Sequence, residues 1–455
     1  MIQAIFREYD IRGVVGHTLT PDVVQEIGRA IGTIAAEHGE RQVAVARDGR
    51  LSGPALSEAL RAGLKAAGRE VVYLGAVPTP VLYYATQVLD TRAGVMVTGS
   101  HNAADYNGLK VVIDGQALHG DVIRDIYRRI EAGRFYRGQG GEQRLDLQPE
   151  YIKRISNAIH LARSLKVVVD CGNAIAGELA PALLRALGCK VVELHCEVDG
   201  RFPHHHPDPS QPENLTELCS TVRAVEADIG LALDGDADRL GVVTGEGKII
   251  WPDQVMMPLA REVLENHPGA AIVFDVKCSN RLERLITELG GKPLMWKTGH
   301  SLIKSYMRAT GALLGGEMTG HFAHADEWFG FDDGLYAAAR LLRILSRDPR
   351  PIDAQFADYP VGINTPELRI DMAEGEPLVF MERLIGQADF GPARLITLDG
   401  LRVEFEQGWG LVRASNTTPS LVLRFEADNE RALAEIQGIF RRELHRIDPQ
   451  LSLPF

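Results

Sequence analysis

The feature that most constrains the fold of this chain is a pattern of apolar strands that recurs three times. Each copy begins with a short apolar strand followed closely by an aspartate: residues 43–45 with Asp48, 167–169 with Asp170, and 272–274 with Asp275. A later strand in each copy leads into a loop of small residues, at 98–102, 234–238 and 315–319. Strands that alternate with helices indicate a parallel α/β sheet. The recurrence predicts three diverged copies of one α/β unit. The alternative is that the repeat is only the regular alternation of strands and helices found in any α/β protein.

The first copy shows the clearest local signals. Thr20 can cap a helix and Pro21 fits its first position. Apolar residues at helical spacing follow as far as Gly39, which is predicted to end that helix. Next come a predicted strand, a helix and a second strand, at residues 42–46, 54–67 and 71–74.

The character of the chain changes after Pro360. Predicted strands crowd together there, followed by one final helix: strands at 367–371, 395–398, 401–405 and 421–426, and a helix at about 430–446. This pattern predicts a smaller α+β domain joined through a hinge near residues 358–365. The expected fold is therefore three similar mixed α/β domains plus a C-terminal α+β domain around a central cleft, with boundaries at 1–146, 147–248, 249–360 and 361–455.

Composition and charge exclude several classes of protein. The formal net charge is −12, which argues against non-specific binding to nucleic acid or to an anionic membrane. The five cysteines include no CxxC pair, so neither a disulfide framework nor a zinc ribbon is expected. No apolar run reaches the length of a membrane span, and Arg7 comes too early for a signal peptide. We expect a cytoplasmic protein.

The acidic loop at residues 234–239, DGDADR, is the strongest chemical signal. In a loop bent by Gly235, the carboxylates of Asp234, Asp236 and Asp238 can converge on one point. Three crowded carboxylates need a cation, and oxygen ligands suit Mg²⁺ or Ca²⁺. An EF-hand is excluded because Gly245 stands where its loop requires glutamate. The alternative is an acidic solvated turn, but such a turn rarely follows a buried strand directly.

Three other loops offer groups for a phosphate or a sugar. Residues 98–102 (TGSHN) expose a hydroxyl at Ser100 and backbone N–H groups that could bind phosphate. Residues 316–321 (GEMTGH) offer Glu317 and Thr319 to sugar hydroxyls, and residues 413–419 (RASNTTP) suit a phosphate dianion. Each of these loops could instead be an ordinary turn that satisfies its own backbone.

The run of histidines at residues 204–206 invites a metal interpretation. Adjacent residues seldom direct all their side chains at one ion, and the flanking prolines Pro203 and Pro207 predict an extended loop. We therefore do not expect a metal there.

Together the four loops resemble those of the α-D-phosphohexomutases. They occur in that family's order and spacing, and the N-terminal segment 6–13 (FREYDIRG) is also similar. The resemblance covers essentially the whole chain, and five motifs in order are highly specific. The loop at 316–321 is similar to that of the phosphomannomutase/phosphoglucomutase group, whereas phosphoglucosamine mutases typically carry Gln at Met318 and Ala at Gly99.

The resemblance implies roles in phosphoryl transfer. Ser100 would be the phosphoserine that donates and accepts the phosphoryl group. It would hold Mg²⁺ together with three carboxylates, those of Asp234, Asp236 and Asp238. Arg239 would lie beside the transferred phosphate. Three residues are candidates for proton transfer, and the sequence does not choose among them: Arg12, Lys110 and His300.

The resemblance also implies how hexose phosphates are bound. Glu317 and Thr319 would contact the sugar hydroxyls. The phosphate that is not being transferred would be held by Arg413, Ser415, Asn416 and Thr417. Other active-site positions of the family are matched by Tyr9, Asn102, Lys277 and His321. Glucose 1,6-bisphosphate would serve as intermediate and activator.

Three departures from the family pattern bear on these expectations. Thr319 stands where Ser is usual, and Ala103-Ala104 replaces a common Pro, which should loosen the loop slightly. Residues 324–327 (HADE) are acidic where related enzymes often carry basic residues. A phosphate contact by residues 324–327 is therefore not expected from the resemblance alone.

The function expected is reversible interconversion of hexose 1-phosphate and hexose 6-phosphate, with mannose and glucose both accepted. A phosphoglucosamine mutase is one alternative. The others are a metal-dependent phosphatase that uses the same residues, and a catalytically silent sugar-phosphate sensor. A monomer is preferred because four domains could bury a core without a partner.

Overall fold

The computed structural model describes residues 2–415 and 418–455. The first repeat is an α/β unit with a seven-stranded sheet. Its strands are β1 (Ile11–Val14), β2 (Gln42–Arg47), β3 (Glu70–Ala76), β4 (Gly94–Val97), β5 (Tyr106–Ile113), β6 (Gln116–Ala117) and β7 (Glu142–Arg144). Its helices are α1 (Pro21–Glu37), α2 (Gly53–Ala66), α3 (Thr79–Val88) and α4 (Asp121–Glu131). Alternate residues of β2 pack on opposite sides: Val43 and Val45 lie in the core with α1 and α2, and Ala44 and Ala46 in the core with α3.

The second and third repeats are smaller. The second contains α5 (Gln148–Ala158), β8 (Lys166–Asp170), α6 (Leu179–Ala186), β9 (Lys190–Leu194), α7 (Thr216–Ala224), β10 (Ile229–Leu233), β11 (Leu240–Thr244) and β12 (Ile249–Ile250). The third contains α8 (Pro252–Asn266), β13 (Ala271–Asp275), α9 (Asn280–Glu288), β14 (Lys292–Trp296), α10 (His300–Thr310), β15 (Leu314–Gly316), β16 (Phe322–His324), α11 (Gly334–Arg347) and α12 (Ile352–Ala357). Short 3₁₀ helices lie at Ile2–Ile5, Ile175–Gly177 and Pro212–Leu215.

The three repeats share one strand order, which confirms the predicted threefold recurrence. Four adjacent strands run β5-β4-β2-β3 in the first sheet, β11-β10-β8-β9 in the second and β16-β15-β13-β14 in the third. In each sheet, one strand leads into the loop of small residues predicted to be functional: β4, β10 or β15. This strand runs parallel to the strand that ends at or just before the recurring aspartate and antiparallel to the strand that follows the loop in the chain. Each loop therefore emerges at the carboxyl end of its strand, where α/β sheets place binding sites.

The C-terminal unit is an antiparallel sheet with two helices. It consists of β17 (Ile363–Asn364), β18 (Leu368–Asp371), α13 (Glu376–Gln387), β19 (Arg394–Ile396), β20 (Leu401–Phe405), β21 (Gly408–Ala414), β22 (Ser420–Ala427) and α14 (Glu430–Ile447). The predicted α+β character is confirmed, but the sequence did not predict α13 or β21. Residues 358–362, between α12 and β17, link this unit to the third repeat.

One large apolar core is shared by the first three units, and the fourth unit has its own core. The shared core includes Met96 from the first repeat, Tyr151 from the second and Phe356 from the third. Another small cluster joins the fourth unit to the third repeat through Val276, Trp409 and Leu411. This packing brings the loops of all four units together. No helix in the described part of the chain is long and apolar enough to cross a membrane.

The first helix shows how local sequence determines an element. Thr20 caps α1 as predicted, its side chain accepting a hydrogen bond from the backbone N–H of Val23. Gly39 has φ +79°, a conformation that glycine adopts readily, just beyond the end of α1. The helix therefore begins and ends where its capping residues predict.

Candidate active site

The serine loop of the first repeat meets the acidic loop of the second. Ser100 is 1% exposed, and its hydroxyl donates to Asp234 Oδ2 at 3.0 Å. The two loops pack so closely that a Cβ on Gly235 would lie 2.1 Å from the Ser100 carbonyl oxygen. Glycine at position 235 is therefore required by close approach. The left-handed bend of this loop lies instead at Ala237, with φ +63°, which corrects the expectation that Gly235 makes the bend.

Three buried carboxylates form a candidate cation site. Potential ligand oxygens of Asp234, Asp236 and Asp238 lie within 4.8 Å of one another, and all three residues are fully buried. Oδ1 of Asp236 and Oδ1 of Asp238 are buried without a hydrogen-bond partner. Burial, followed by repulsion from Asp238 and Asp236, raises the pKa of Asp234 well above its ordinary value. Unpaired oxygen donors of this kind fit a hard cation such as Mg²⁺.

Lys110 provides one buried positive charge beside these carboxylates. Its ammonium donates to Asp236 Oδ2 at 2.6 Å and also to Asp238 Oδ2. Burial alone would lower the pKa of Lys110, but Asp236 and Asp238 outweigh it and hold the pKa well above its usual range. Asp236 also accepts a hydrogen bond from the Thr79 hydroxyl at 2.5 Å. In this arrangement Lys110 is a charged donor.

Arg239 lies between the serine loop and the third repeat. Its backbone N–H donates to Asp234 Oδ1 at 3.1 Å, and its Nε donates to His321 Nε2 at 3.0 Å. Nη1 lies 2.7 Å from Nδ1 of His101. His321 Nδ1 in turn lies 2.9 Å from Asp332. The guanidinium is thus fixed from several directions beside the serine loop.

His300 lies at the start of α10 and faces the same carboxylate. Its Nδ1 is 3.2 Å from Asp332 Oδ2, and its ring stacks on that of His321 with centroids 5.0 Å apart. Lys304 donates to the other oxygen of Asp332. Burial, helped by Lys304, lowers the pKa of His300 to about 4. A neutral imidazole at pH 7 can accept a proton.

The depressed pKa of His300 has a consequence for stability. The unfolded chain protonates this imidazole near pH 6.5 and the folded chain only near pH 4. Between these values the unfolded state binds more protons, so stability falls as the pH falls, by at most about 1.4 kcal/mol per pH unit. We expect the urea midpoint of His300→Gln to fall less between pH 7 and pH 5 than that of the wild type. His267→Gln, which replaces an exposed histidine, should follow the wild type, and equal slopes for all three proteins would contradict the prediction.

Two predicted N-terminal residues lie at the edge of the cleft. Arg12 donates to the Asn102 side chain in the serine loop and to Asp10. The Tyr9 hydroxyl donates to the carbonyl oxygen of Thr298 at 2.9 Å, in the third repeat. Arg12 and Asn102 are therefore brought to the serine loop, whereas Tyr9 joins the first repeat to the third.

The third loop places Glu317 inside the protein. Glu317 is 2% exposed and accepts a hydrogen bond from the backbone N–H of Gly299. Burial raises its pKa above the ordinary value. Thr319 is half-buried in the following turn, and His321 begins the return toward β16. The predicted sugar-contacting pair thus sits on the side of the cleft formed by the third repeat.

The fourth unit contributes a buried arginine. Arg413 lies within β21, whereas the sequence predicted that it lies in a loop. Its Nε donates to Asp399 Oδ2 at 3.1 Å, and its Nη2 is buried without a partner. The hydroxyl of Ser415 accepts from the backbone N–H of Thr418 at 3.2 Å. Predicted residues Asn416 and Thr417 lie outside the described residues. Lys277, from the third repeat, donates to Glu367 at 3.2 Å.

Sequence reasoning missed several residues that support this site. Asp48 accepts hydrogen bonds from the Thr98 hydroxyl at 2.8 Å and from the Gly99 N–H at 3.2 Å. Asp275 accepts from the Met318 N–H at 3.3 Å in the third loop. The sequence showed that these aspartates recur, but it did not show that their side chains anchor the functional loops through hydrogen bonds. Asp332 and Asp399 carried no recognisable signal.

The triple histidine does not gather around a common point. His205 Nε2 lies 3.0 Å from Asp170 Oδ2, and His204 Nδ1 lies 2.7 Å from Asn173 Oδ1. Within residues 2–415 and 418–455, the only groups of three or more potential metal ligands are Asp234-Asp236-Asp238 and Asp238-His321-Asp332. Histidines 204–206 belong to neither group.

The acidic segment near residue 326 is part of a buried ion-pair network. Asp326 Oδ2 lies 2.8 Å from Arg340 Nη2, and Arg340 also pairs with Glu262 at 2.8 Å. Glu327 pairs with Arg343 at 2.8 Å. The charge of this segment is therefore compensated within the third repeat by arginines of α11.

Arg340→Leu should destabilise the protein strongly. The substitution leaves Asp326 buried without its arginine partner and removes one of the two buried arginines that pair with Glu262, which costs about 3–5 kcal/mol. Urea unfolding should show a lower midpoint. Arg347→Leu is the matched control, because Arg347 pairs with the same Glu262 at 3.3 Å but is 55% exposed. Equal midpoints for the two variants would refute the buried network.

Comparisons with known proteins identify the family. Four domain descriptions of one family match in order: phosphoglucomutase/phosphomannomutase α/β/α domain I at residues 3–137, domain II at 149–247, domain III at 251–361, and the C-terminal domain at 367–443. They account for nearly the whole chain and confirm the expected fold.

Individual relatives agree with these matches over full length. A phosphomannomutase/phosphoglucomutase of Pseudomonas aeruginosa is 54% identical over 452 residues, covering 99% of this chain and 98% of the relative. A phosphoglucomutase of Neisseria gonorrhoeae is 49% identical over 454 residues, covering 99% and 98%. The crystal structure of a family protein from Burkholderia thailandensis superposes with a TM-score of 0.96 at 51% identity and covers all of both chains. The chain therefore belongs to the phosphoglucomutase/phosphomannomutase family.

Proposed function

We propose that this protein interconverts the 1-phosphates and 6-phosphates of glucose and mannose through a phosphoserine enzyme. The observation that carries the proposal is the placement of the Ser100 hydroxyl 3.0 Å from Asp234, within a cluster of three buried carboxylates. Relatives with 54% and 49% identity carry the names of such mutases. The domain boundaries at 146, 248 and 360 and the roles given below are part of this proposal.

A magnesium ion is the cofactor that the acidic loop fits. Asp234, Asp236 and Asp238 would hold it together with phosphorylated Ser100, and two of their oxygens now lack partners. Bound there, the ion supplies positive charge that offsets the charge of the phosphoryl oxygens. Lys110 adds a fixed charge to the same cluster.

The first transfer makes a bisphosphate. A sugar hydroxyl oxygen forms a bond to the phosphorus of phospho-Ser100 while the bond from phosphorus to Ser100 Oγ breaks. Arg239 stabilises the oxygens of the group in transfer. The hydroxyl proton passes to a base, for which neutral His300 is the strongest of the three candidates, because Lys110 and Arg12 are both cations engaged with acceptors.

The second transfer requires the intermediate to turn over. The hexose 1,6-bisphosphate then offers its other phosphate to Ser100, the new Oγ–P bond forms, and the sugar oxygen recovers a proton. Glu317 and Thr319 would contact the sugar from the third repeat. The phosphate at rest would be held by four residues of the fourth unit: Arg413, Ser415, Asn416 and Thr417. Further substrate-binding positions would be Tyr9, Asn102, Lys277 and His321.

A coupled assay tests the proposal against its alternatives. Glucose 1-phosphate, mannose 1-phosphate and glucosamine 1-phosphate would be supplied separately with Mg²⁺ and a trace of glucose 1,6-bisphosphate. Turnover of the first two, lost on chelation of Mg²⁺, is the expected result. A preference for the amino sugar would make the protein a phosphoglucosamine mutase. Free phosphate released as fast as 6-phosphate forms would make it a phosphatase, and no turnover would favour a sensor.

The expected substrates are therefore hexose phosphates. We propose a cytoplasmic monomer that binds neither nucleic acid nor a membrane surface. The support is the formal net charge of −12 and the apolar core shared by the first three units. Light scattering of the purified protein measures its oligomeric state.

A further inference from the structure

The guanidinium of Arg50 lies against the loop that carries Ser100, and its side chain is fully buried. Its Nε donates to Asp48 Oδ2 at 3.2 Å. Its two Nη groups donate to four backbone carbonyl oxygens: those of Ser100 at 2.7 Å, Asn102 at 2.6 Å and Ala103 in the serine loop, and that of Tyr106 at 2.9 Å at the start of β5. A guanidinium has five N–H donors. All five are therefore engaged, three of them by the serine loop.

Two further contacts restrict the guanidinium. A Cβ added to Gly99 would lie 2.5 Å from its central carbon, so the loop backbone packs directly on Arg50. The ring centroid of Phe202, from the second repeat, lies 5.0 Å from the same carbon. Arg50 therefore has little freedom to move while the first two repeats are packed together.

The serine loop needs such support because its conformation is strained. Ser100 has φ +49°, a left-handed conformation that costs a residue with a side chain about 1–2 kcal/mol. Between β4 and β5 the loop is irregular, so its buried carbonyl groups lack sheet partners and must find others. The Arg50 guanidinium satisfies three of them at once and also reaches the carbonyl oxygen of Tyr106, whereas a lysine ammonium has three donors and no planar geometry.

We propose that Arg50 is a positioning residue for phosphoryl transfer, holding the strained serine loop so that Ser100 Oγ faces the acidic loop. The inference rests on the proposed function. Arg50 acts through the loop backbone and touches neither sugar nor transferred phosphate. Its contribution lies in alignment, because a displacement of the reacting oxygen by about 1 Å can cost 10²-fold in rate.

The test compares Arg50→Lys with Arg47→Lys, a matched change three residues earlier. Arg47 donates to the Asp48 carbonyl oxygen at 2.9 Å, and no hydrogen bond joins it to the serine loop in the described part of the chain. We expect Arg50→Lys to lower kcat by about 10²-fold and to change KM for glucose 1-phosphate by no more than about twofold. Transfer from ³²P-labelled phospho-Ser100 in a single turnover should slow by the same factor as kcat. Arg47→Lys should match the wild type in all three.

These readouts separate positioning from stability. All rates are measured well below the thermal midpoint of each protein. If Arg50 only stabilises the fold, its substitution should lower the thermal midpoint and leave kcat unchanged. That outcome, or equal losses in kcat and single-turnover rate for Arg47→Lys, would overturn the inference. A wild-type enzyme without mutase activity overturns the proposed function and the inference together, whereas an active wild type with a fully active Arg50→Lys overturns the inference alone.

A second variant decides the matter if Arg50→Lys does not fold. Phe202→Leu removes the half-buried ring against the guanidinium and leaves the serine loop unaltered in sequence. We expect kcat to fall by about threefold with KM unchanged, as weaker restraint on Arg50 should slow the chemical step. A kcat equal to that of the wild type would overturn the inference.

Discussion

Ser100→Ala is expected to abolish mutase activity. Under the proposed mechanism, the variant lacks the oxygen that accepts and donates the phosphoryl group, so phosphate cannot be carried between the two ends of the sugar. The structure places this oxygen 3.0 Å from Asp234 in a residue that is 1% exposed. Removing a covalent nucleophile of this kind costs on the order of 10⁶-fold in kcat in a well-studied hydrolase, and we expect the coupled assay to register no activity above background.

The control for this prediction is Ser156→Ala. Ser156 lies on α5 and donates only to the carbonyl oxygen of Lys153 among the hydrogen bonds seen. Its variant should retain wild-type kcat. Incubation with ³²P-labelled glucose 1,6-bisphosphate should label the wild type and Ser156→Ala but not Ser100→Ala. Label in the last protein would place the phosphate on another residue.

Arg239→Ala is expected to lower kcat by about 10³-fold or more, with a much smaller change in KM. A positioned arginine contributes roughly 10³–10⁵ to the rate in other phosphoryl-transfer enzymes. Here the guanidinium is held by His321 at 3.0 Å and lies beside the serine loop. Its charge is most useful when negative charge spreads over the oxygens in transfer, so its loss affects the transition state more than the bound substrate.

Steady-state kinetics on glucose 1-phosphate measure both constants. Arg223→Ala is the control, since Arg223 is an exposed residue of α7 in the same repeat. Arg239→Lys should recover only a small part of the activity, because one ammonium cannot replace the planar guanidinium. A large rise in KM with kcat unchanged would assign Arg239 to substrate binding and contradict its proposed role.

The chemical loops could be predicted because each keeps its reactive residues together in the sequence. Asp234, Asp236 and Asp238 lie within five residues of one another and follow a strand, so one loop brings them together. Their partners come from elsewhere. Thr79 and Lys110 reach Asp236 from the first repeat, and no local pattern indicates that contact. The support of Ser100 by Asp48 and Arg50 depends on β2 lying beside β4, which is a property of the sheet.

The missed elements of the fourth unit have local physical reasons. Helix α13 exposes Leu378 and Val379 to solvent at 65% and 58%, so its apolar residues do not form one clear helical stripe. Strand β21 contains glycines at 408 and 410, which weaken the strand signal. Gly410 is nevertheless suited to its place, because a Cβ there would lie 2.4 Å from the ring of Phe440. Tertiary packing outweighed local propensity at both elements.

The burial of Ser100 determines how the enzyme can be switched on. A protein kinase or phosphatase must grasp several residues around its target, but this serine is 1% exposed and its loop is held between two repeats. Under the proposed mechanism, the first phosphate would therefore arrive on a small molecule, such as a sugar bisphosphate, that can reach this loop. Each turnover would then leave a phosphate on Ser100 that comes from the sugar just converted.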